Sequence, residues 1–112
     1  MDPSLYHNQR HPDFLLLAKA VQTLFNISKH DLLHPPNQAR CYTNPRYYVI
    51  AILKQLGWSL HSLSLTFNRR EQNLTQQLQQ LESRITGPKA DLEEQKKFIQ
   101  LLRIYNRFKA QS

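Results

Sequence analysis

Apolar side chains recur at intervals of three or four residues along most of this 112-residue chain. That interval is the period of an α-helix, so each such segment presents one apolar face. Only two glycines are present, Gly57 and Gly87, which argues against the many tight turns of a β-rich fold. The sequence therefore predicts an all-α fold, a compact bundle of about five or six helices.

The ends of the predicted helices carry recognisable signals. Pro12 suits a first helical turn, and Ser59 is a favourable N-cap. The Asn44-Pro45 pair predicts the start of a long helix that Gly57 ends. The predicted helices are residues 12–26, 28–33, 44–57, 59–67, 69–85 and 90–109. They divide the chain into a polar N-terminal arm over 1–11, a helical domain over 12–87 and an amphipathic C-terminal helix within 88–112.

The composition excludes several classes of protein. A formal charge of +7 and a pI near 9.9 favour an anionic partner, nucleic acid before an anionic membrane. Cys41 is the only cysteine, so no internal disulfide and no cysteine-based zinc site can form, as expected of a cytoplasmic protein. No apolar run approaches a membrane span, and no phosphate-cradling Gly-x-x-x-x-Gly-Lys sequence is present. We therefore expect a soluble, cytoplasmic, non-enzymatic protein with no cofactor and no small-molecule substrate.

Two histidine pairs, His7/His11 and His30/His34, have the i, i+4 spacing that can bind a metal ion on a helix. Neither pair has the glutamate of a metalloprotease motif, and both lie in a predicted arm or at a predicted helix end. We interpret them as surface histidines and expect no metal site.

No acidic residue occurs between Asp31 and Glu71, whereas five basic residues lie in that stretch. The five are Arg40, Arg46, Lys54, Arg69 and Arg70. A long acid-free stretch that holds a basic loop, a helix and a helix-turn-helix candidate is typical of a surface that faces DNA. A solvated basic surface with no partner is the alternative interpretation.

The predicted helices over 59–67 and 69–85 have the proportions of a helix-turn-helix, with a short first helix, a tight turn and a longer second helix. In that motif the second helix lies in the major groove and its first residues reach base edges. Gln72 and Asn73 can each bond bidentately to adenine, and Glu71 can accept from cytosine. Asn68 and Glu71 also fit a capping box, which is compatible with base reading by their neighbours.

Three stretches, in order and at similar spacing, resemble the C-terminal DNA-binding domain of the bacterial replication initiator DnaA, in the Trp-repressor-like helix-turn-helix group. They are FNISKHDLL at 25–33, NPRYYVIAILKQL at 44–56 and SLHSLSLTFNRREQNLTQQL at 59–78, and the likeness covers about residues 14–86. The resemblance implies that a basic loop inserts Arg40 into the minor groove. It also implies that Pro45 and Arg46 open a long helix beside the phosphates, and that Lys54 and Leu60 lie near the DNA backbone.

The chain departs from the family at the family's signature, Gly-Gly-Arg-Asp-His-Thr-Thr, whose Asp, His and Thr contact bases. Residues 68–73 stand in its place and are one residue shorter. Glu71 replaces Asp, Gln72 replaces His and Asn73 replaces Thr. The resemblance therefore implies a recognition-helix start with altered reading residues.

The sequence as a whole predicts a double-stranded DNA-binding protein, nucleoid-associated, that acts in replication control, transcription or a mobile element. The expected phosphate contacts are Arg46, Lys54 and Arg69. The expected base-reading residues are Arg70, Gln72 and Asn73, with Arg40 in the minor groove of A·T-rich DNA. The alternative is a protein-interaction adaptor that retains the fold but not DNA binding, which the altered signature and the added apolar helix favour.

The C-terminal helix combines apolar positions at helical spacing with several basic residues, Lys96, Lys97, Arg103, Arg107 and Lys109. An amphipathic helix of this kind either packs back on the domain or forms a homodimer or a contact with a protein partner. A contact of this helix with DNA or with a membrane is less favoured.

Overall fold

Side-chain caps fix several of the helix starts. The computed structural model describes residues 6–88 and 90–111, and all regular structure in those residues is helical. Ser28 and Ser59 accept hydrogen bonds from the backbone N–H groups of Asp31 and Ser62 at 3.1 and 3.0 Å. The helices are α1 (Pro12–Phe25), α2 (Lys29–Leu33), α3 (Arg40–Gln55), α4 (Leu60–Phe67), α5 (Glu71–Thr86) and α6 (Leu92–Gln111). The predicted all-α bundle is confirmed, and no helix in the described residues is long and apolar enough to cross a membrane.

The long central helix begins earlier than the sequence predicted. α3 starts at Arg40, with Ala39 as its N-cap, so Pro45 lies inside the helix and not in its first turn. The first turn is closed by a hydrogen bond from the N–H of Thr43 to the carbonyl of Ala39 at 3.1 Å. A proline inside a helix removes one backbone hydrogen bond, but Pro45 is buried, and packing on the core offsets that cost. The basic loop predicted around Arg40 is therefore helical.

The second helix of the predicted helix-turn-helix begins later than expected. α5 starts at Glu71, with Arg70 as its N-cap and no side-chain cap. Asn68 is instead the C-cap of α4, with a left-handed φ of 53° and its N–H bonded to the carbonyl of Ser64. The capping box predicted for Asn68 and Glu71 is therefore wrong, because an N-cap needs an extended backbone.

One core joins the helices, with α3 at its centre in contact with α1, α2, α4 and α5. α6 packs along α1 and α5 and contributes Phe98, Leu101 and Tyr105 to this core. The Tyr105 hydroxyl donates to the carboxylate of Asp13 at 2.9 Å, which ties α6 to the start of α1. The C-terminal helix therefore packs back on the domain, which is one of the two arrangements predicted from its amphipathic sequence.

Residues 7–11 of the predicted N-terminal arm lie against the bundle, and residues 1–5 lie outside the described residues. The His7 ring stacks on Trp58 with 5.0 Å between centroids. His11 is 9% exposed, and its Nδ1 accepts a hydrogen bond from the N–H of Asp13 at 3.0 Å. The interpretation of His11 as a surface histidine is therefore wrong, because packing against Trp58 buries it as the N-cap of α1.

Candidate nucleic-acid interface

α4 and α5 are joined by a short turn, residues 68–70, and pack against each other. Phe67 at the end of α4 and Leu74 near the start of α5 are both fully buried, which anchors the turn on the core. The N–H of Arg69 donates to the carbonyl of Ser64 at 3.0 Å. These contacts hold the start of α5 at the surface in one orientation.

One face of α5 is lined with exposed amide side chains, while Leu74 and Leu81 are buried on the other. We define this amide face by its exposed members, Gln72, Asn73, Gln76, Gln79 and Gln80. An amide both donates and accepts hydrogen bonds, so it can pair bidentately with adenine. The 16 residues of α5 form a rod about 24 Å long, and the major groove, about 12 Å wide, admits such a helix. The sequence analysis predicted base-reading residues only in the first turn of this helix. The spacing of Gln76 and Gln79 from Gln72 nevertheless indicates that all three share one face.

A polar cleft separates the first turns of α3 from α5. It has a volume of about 330 Å³, and none of the described residues that line it is acidic. We call it the arginine cleft after the four arginines among its lining residues, Arg40, Arg46, Arg69 and Arg84. The same wall carries four amide side chains, those of Gln38, Asn44, Asn73 and Gln77. The cleft thus brings together predicted site residues that are far apart in the sequence.

Arg46 does not lie at the surface, where it was expected to contact a phosphate. It is 2% exposed, and its Nη2 donates to the carbonyl of Phe67 at 2.5 Å, which ties α3 to the end of α4. Burial, and then the nearby charge of Arg69, lower the pKa of Arg46 to about 10. The expected surface position of Arg46 is therefore wrong, because its guanidinium is part of the packed interior and reaches only the wall of the cleft.

Of the other predicted site residues, Arg40 and Arg69 line the cleft, whereas Arg70, Glu71 and Gln72 lie on the surface at the start of α5. Arg40 is exposed at the first position of α3, and Arg70 is exposed as the N-cap of α5. Arg69 is half-buried, and its Nε has no hydrogen-bond partner among the described residues. Glu71 and Gln72 are exposed and open the first turn of α5.

Three further predicted site residues lie neither in the arginine cleft nor at the start of α5. Pro45 is buried inside α3, and Leu60 is half-buried at the first position of α4. Lys54 is exposed beside a groove of about 470 Å³ that is lined largely by apolar residues of α3, α5 and α6, such as Leu78 and Phe98. Lys54 and Leu60 are therefore separate from the arginine cluster.

The N-terminal end of α6 places carboxylates on one flank of the cleft. The Nε of Arg84 donates to Oε2 of Glu94 at 2.8 Å. A second cavity, of about 200 Å³, shares Arg40, Asn44 and Arg84 with the arginine cleft and is also lined by Asp91 and Glu93. Burial, and then the charge of Glu94, raise the pKa of Tyr48, which lines this second cavity. The surface is therefore cationic on the side of the turn and mixed on the side of α6.

The chain matches no protein-family model, and no curated protein or solved structure is significantly similar to it. The all-α class follows from the structure itself, and the resemblance to the DnaA domain stays a prediction from the quoted residues. The chemistry of the α5 surface and of the arginine cleft is then the basis for a functional interpretation.

Proposed function

We propose that this protein binds double-stranded DNA, with α5 in the major groove. One observation carries the proposal: the exposed amide face of α5 lies beside arginines that come from α3, the turn and α5 itself. Protein–DNA interfaces need both kinds of group, because cations position the protein on the phosphates while amides discriminate base edges.

The groups have distinct roles in this proposal. Arg69 and Arg70 flank the start of α5 and neutralise phosphates on one side of the groove, while Gln72 and Gln76 reach base edges within it. Arg40 faces the same surface from α3 and contacts either a phosphate or a narrow minor groove. A protein with this activity would suit replication control, transcription or a mobile element.

The test is a titration of a fluorescent duplex of random sequence at low salt, followed by anisotropy. We expect binding by the wild-type protein and roughly tenfold weaker binding by Arg70→Ala, since a charge-assisted contact with a phosphate is lost. Arg103→Ala is the matched control, because Arg103 is an exposed arginine on α6 and outside the cleft. Absence of duplex binding, or an equal loss in both variants, would contradict the proposal.

The second candidate function is a protein-interaction adaptor, which the apolar groove between α3, α5 and α6 favours. Ala51, Leu78, Leu81, Ile85 and Phe98 line that groove. An adaptor that has lost DNA binding would show no affinity for duplex in the same titration, so one experiment separates the two candidates.

A further inference from the structure

The arginine cleft holds more positive charge than its own side chains balance. Arg84 is paired with Glu94, but no carboxylate lies within 4.0 Å of Arg40, Arg46 or Arg69 among residues 6–88 and 90–111. A buried charge is costly unless it is paired and hydrogen-bonded. Arg46 is 2% exposed, and its hydrogen bond to the carbonyl of Phe67 offsets only part of this cost.

The hydrogen-bonding capacity of the same arginines is also incomplete. Arg46 uses Nη2 to bond the carbonyl of Phe67, while its Nε is buried and has no partner in the described part of the chain. The Nε of Arg69 is buried and lacks a partner in the same way. Buried donors are satisfied in nearly all folded proteins, so these two Nε donors add to the cost of holding unpaired arginines on one wall of the cleft.

The shape and chemistry of the cleft define which acceptor fits. Its volume of about 330 Å³ is many times the share of one water molecule, about 30 Å³, and so leaves room for a tetrahedral anion with some of its hydration. Guanidinium groups match phosphate oxygens bidentately, and the amides of Asn73 and Gln77 supply further neutral donors. The flank formed by α6 is mixed, because Lys97 and Arg84 lie beside Asp91, Glu93 and Glu94, and it attracts an extended polyanion less than the side of the turn does.

We propose that the arginine cleft is a binding site for one phosphate group, held by Arg40, Arg46 and Arg69 with amide donors from α5. Two sources present this chemistry: a phosphodiester of a bound duplex, and a free phosphate-bearing molecule. The first source rests on the proposed function, whereas the second is independent of it.

The experiment follows the arginine Nε–Hε resonances of the full chain by NMR while inorganic phosphate replaces chloride at constant ionic strength. We expect the Arg46 and Arg69 resonances to shift along a saturable curve while that of Arg103 stays in place. Arg40→Ala should weaken phosphate binding about tenfold, and Arg103→Ala should leave it unchanged. Arg40 is the residue to change because it is exposed, whereas Arg46 also bonds the carbonyl of Phe67 and its loss would disturb the fold. Arg69→Ala is the second variant, with the same expected loss.

The two sources are then separated with a short duplex added to the phosphate-saturated protein. If the duplex displaces phosphate from the Arg46 and Arg69 resonances, the site takes a backbone phosphodiester. If both bind together, the site takes a free phosphate-bearing molecule. Saturable phosphate binding without any duplex binding would support the site and contradict the proposed function. A linear, chloride-like response, or equal affinity in Arg40→Ala and Arg103→Ala, would overturn the site even where the duplex binds.

Discussion

At the scale of single residues, His11 combines a structural and a titrating role. Its Nδ1 accepts a hydrogen bond from the N–H of Asp13, and only a neutral imidazole can accept at that atom. Burial lowers the pKa of His11; Asp13 opposes this, and the nearby His7 and Lys109 lower it further. The folded state therefore favours the neutral ring, which keeps the N-cap of α1 intact.

The lowered pKa of His11 in the folded state predicts that the protein loses stability in mild acid. The unfolded state takes up the His11 proton near pH 6.5 while the folded state still resists it, so the free energy of unfolding falls as the pH drops below about 6.5. Between about pH 7.5 and about pH 5.5 the single proton taken up by His11 can account for at most about 1.4 kcal/mol of that loss. Urea unfolding at about pH 7.5 and about pH 5.5 measures it.

Two variants isolate the contribution of His11. His11→Asn keeps an acceptor at the N-cap but does not titrate in this range, so its stability should depend less on pH. His61→Asn, at an exposed histidine of α4, should keep the wild-type dependence. A His11→Asn protein with the full wild-type pH dependence would show that the cap is not the titrating element.

Asn68 gives a second prediction at this scale. The left-handed backbone of Asn68, with φ of 53°, costs an ordinary residue about 1–2 kcal/mol. At an N-cap, in contrast, serine and asparagine are about equally favourable. Asn68→Ser should therefore lower the free energy of unfolding by about 1 kcal/mol, and Asn26→Ser, at the matching left-handed C-cap of α1, should do the same. If chemical denaturation finds Asn68→Ser as stable as the wild type, Asn68 is an N-cap after all.

The contrast between the serine N-caps and the asparagine C-cap shows which single-residue roles the sequence could predict. The caps at Ser28 and Ser59 were predictable because each depends on a bond within three residues. Asn68 was not, since asparagine is favourable both before a helix and in the left-handed position after one. The burial of Phe67, which ends α4 just before Asn68, is a tertiary contact that no local pattern contains.

At the scale of elements, α5 presents a longer reading face than its first turn. Gln72 and Gln76 are both exposed and lie one helical turn apart. If each pairs bidentately with a base, replacing either by alanine should relax preference at one or two base pairs, with a loss of about 1–3 kcal/mol in discrimination. Affinity for random duplex, which depends on the arginines, should change little.

Selection of bound duplexes from a random pool, repeated for each variant, measures that preference. Gln100→Ala is the control, because Gln100 is an exposed glutamine on α6 and outside the amide face. Identical selected sites for the wild type, Gln72→Ala and Gln76→Ala would remove these residues from base reading and strengthen the adaptor alternative.

Helix patterns predicted most elements but not the arrangement around the arginine cleft. The Asn44-Pro45 signal was strong, yet α3 starts at Arg40, because packing on the core outweighs one missing backbone hydrogen bond. Arg84 was not predicted as part of the site, although it lies eleven positions after Asn73, on the same face of α5. The cleft forms only because α3 and α5 lie side by side, and local sequence patterns do not predict such a tertiary contact.

At the scale of the whole molecule, the distribution of charge predicts how a duplex approaches. The chain carries a formal charge of +7, but the carboxylates of Asp91, Glu93 and Glu94 lie on the α6 flank of the cleft. Phosphates are attracted to the turn and to the start of α3 more strongly than to that flank, where Arg84 and Lys97 balance part of the negative charge. The duplex should therefore run along the side of Arg69 and Arg70.

DNA binding through the α5 surface is tested most directly by the salt dependence of duplex affinity between about 50 and 200 mM salt. Arg40 and Arg69 share one phosphate in the cleft and Arg70 contacts a second, so log K should fall against log salt concentration with a slope of about −2. Arg70→Ala should reduce the magnitude of the slope by about 1, while Arg103→Ala should leave it unchanged. A flat response in the wild-type protein, or a slope that Arg70→Ala does not alter, would contradict DNA binding through this surface.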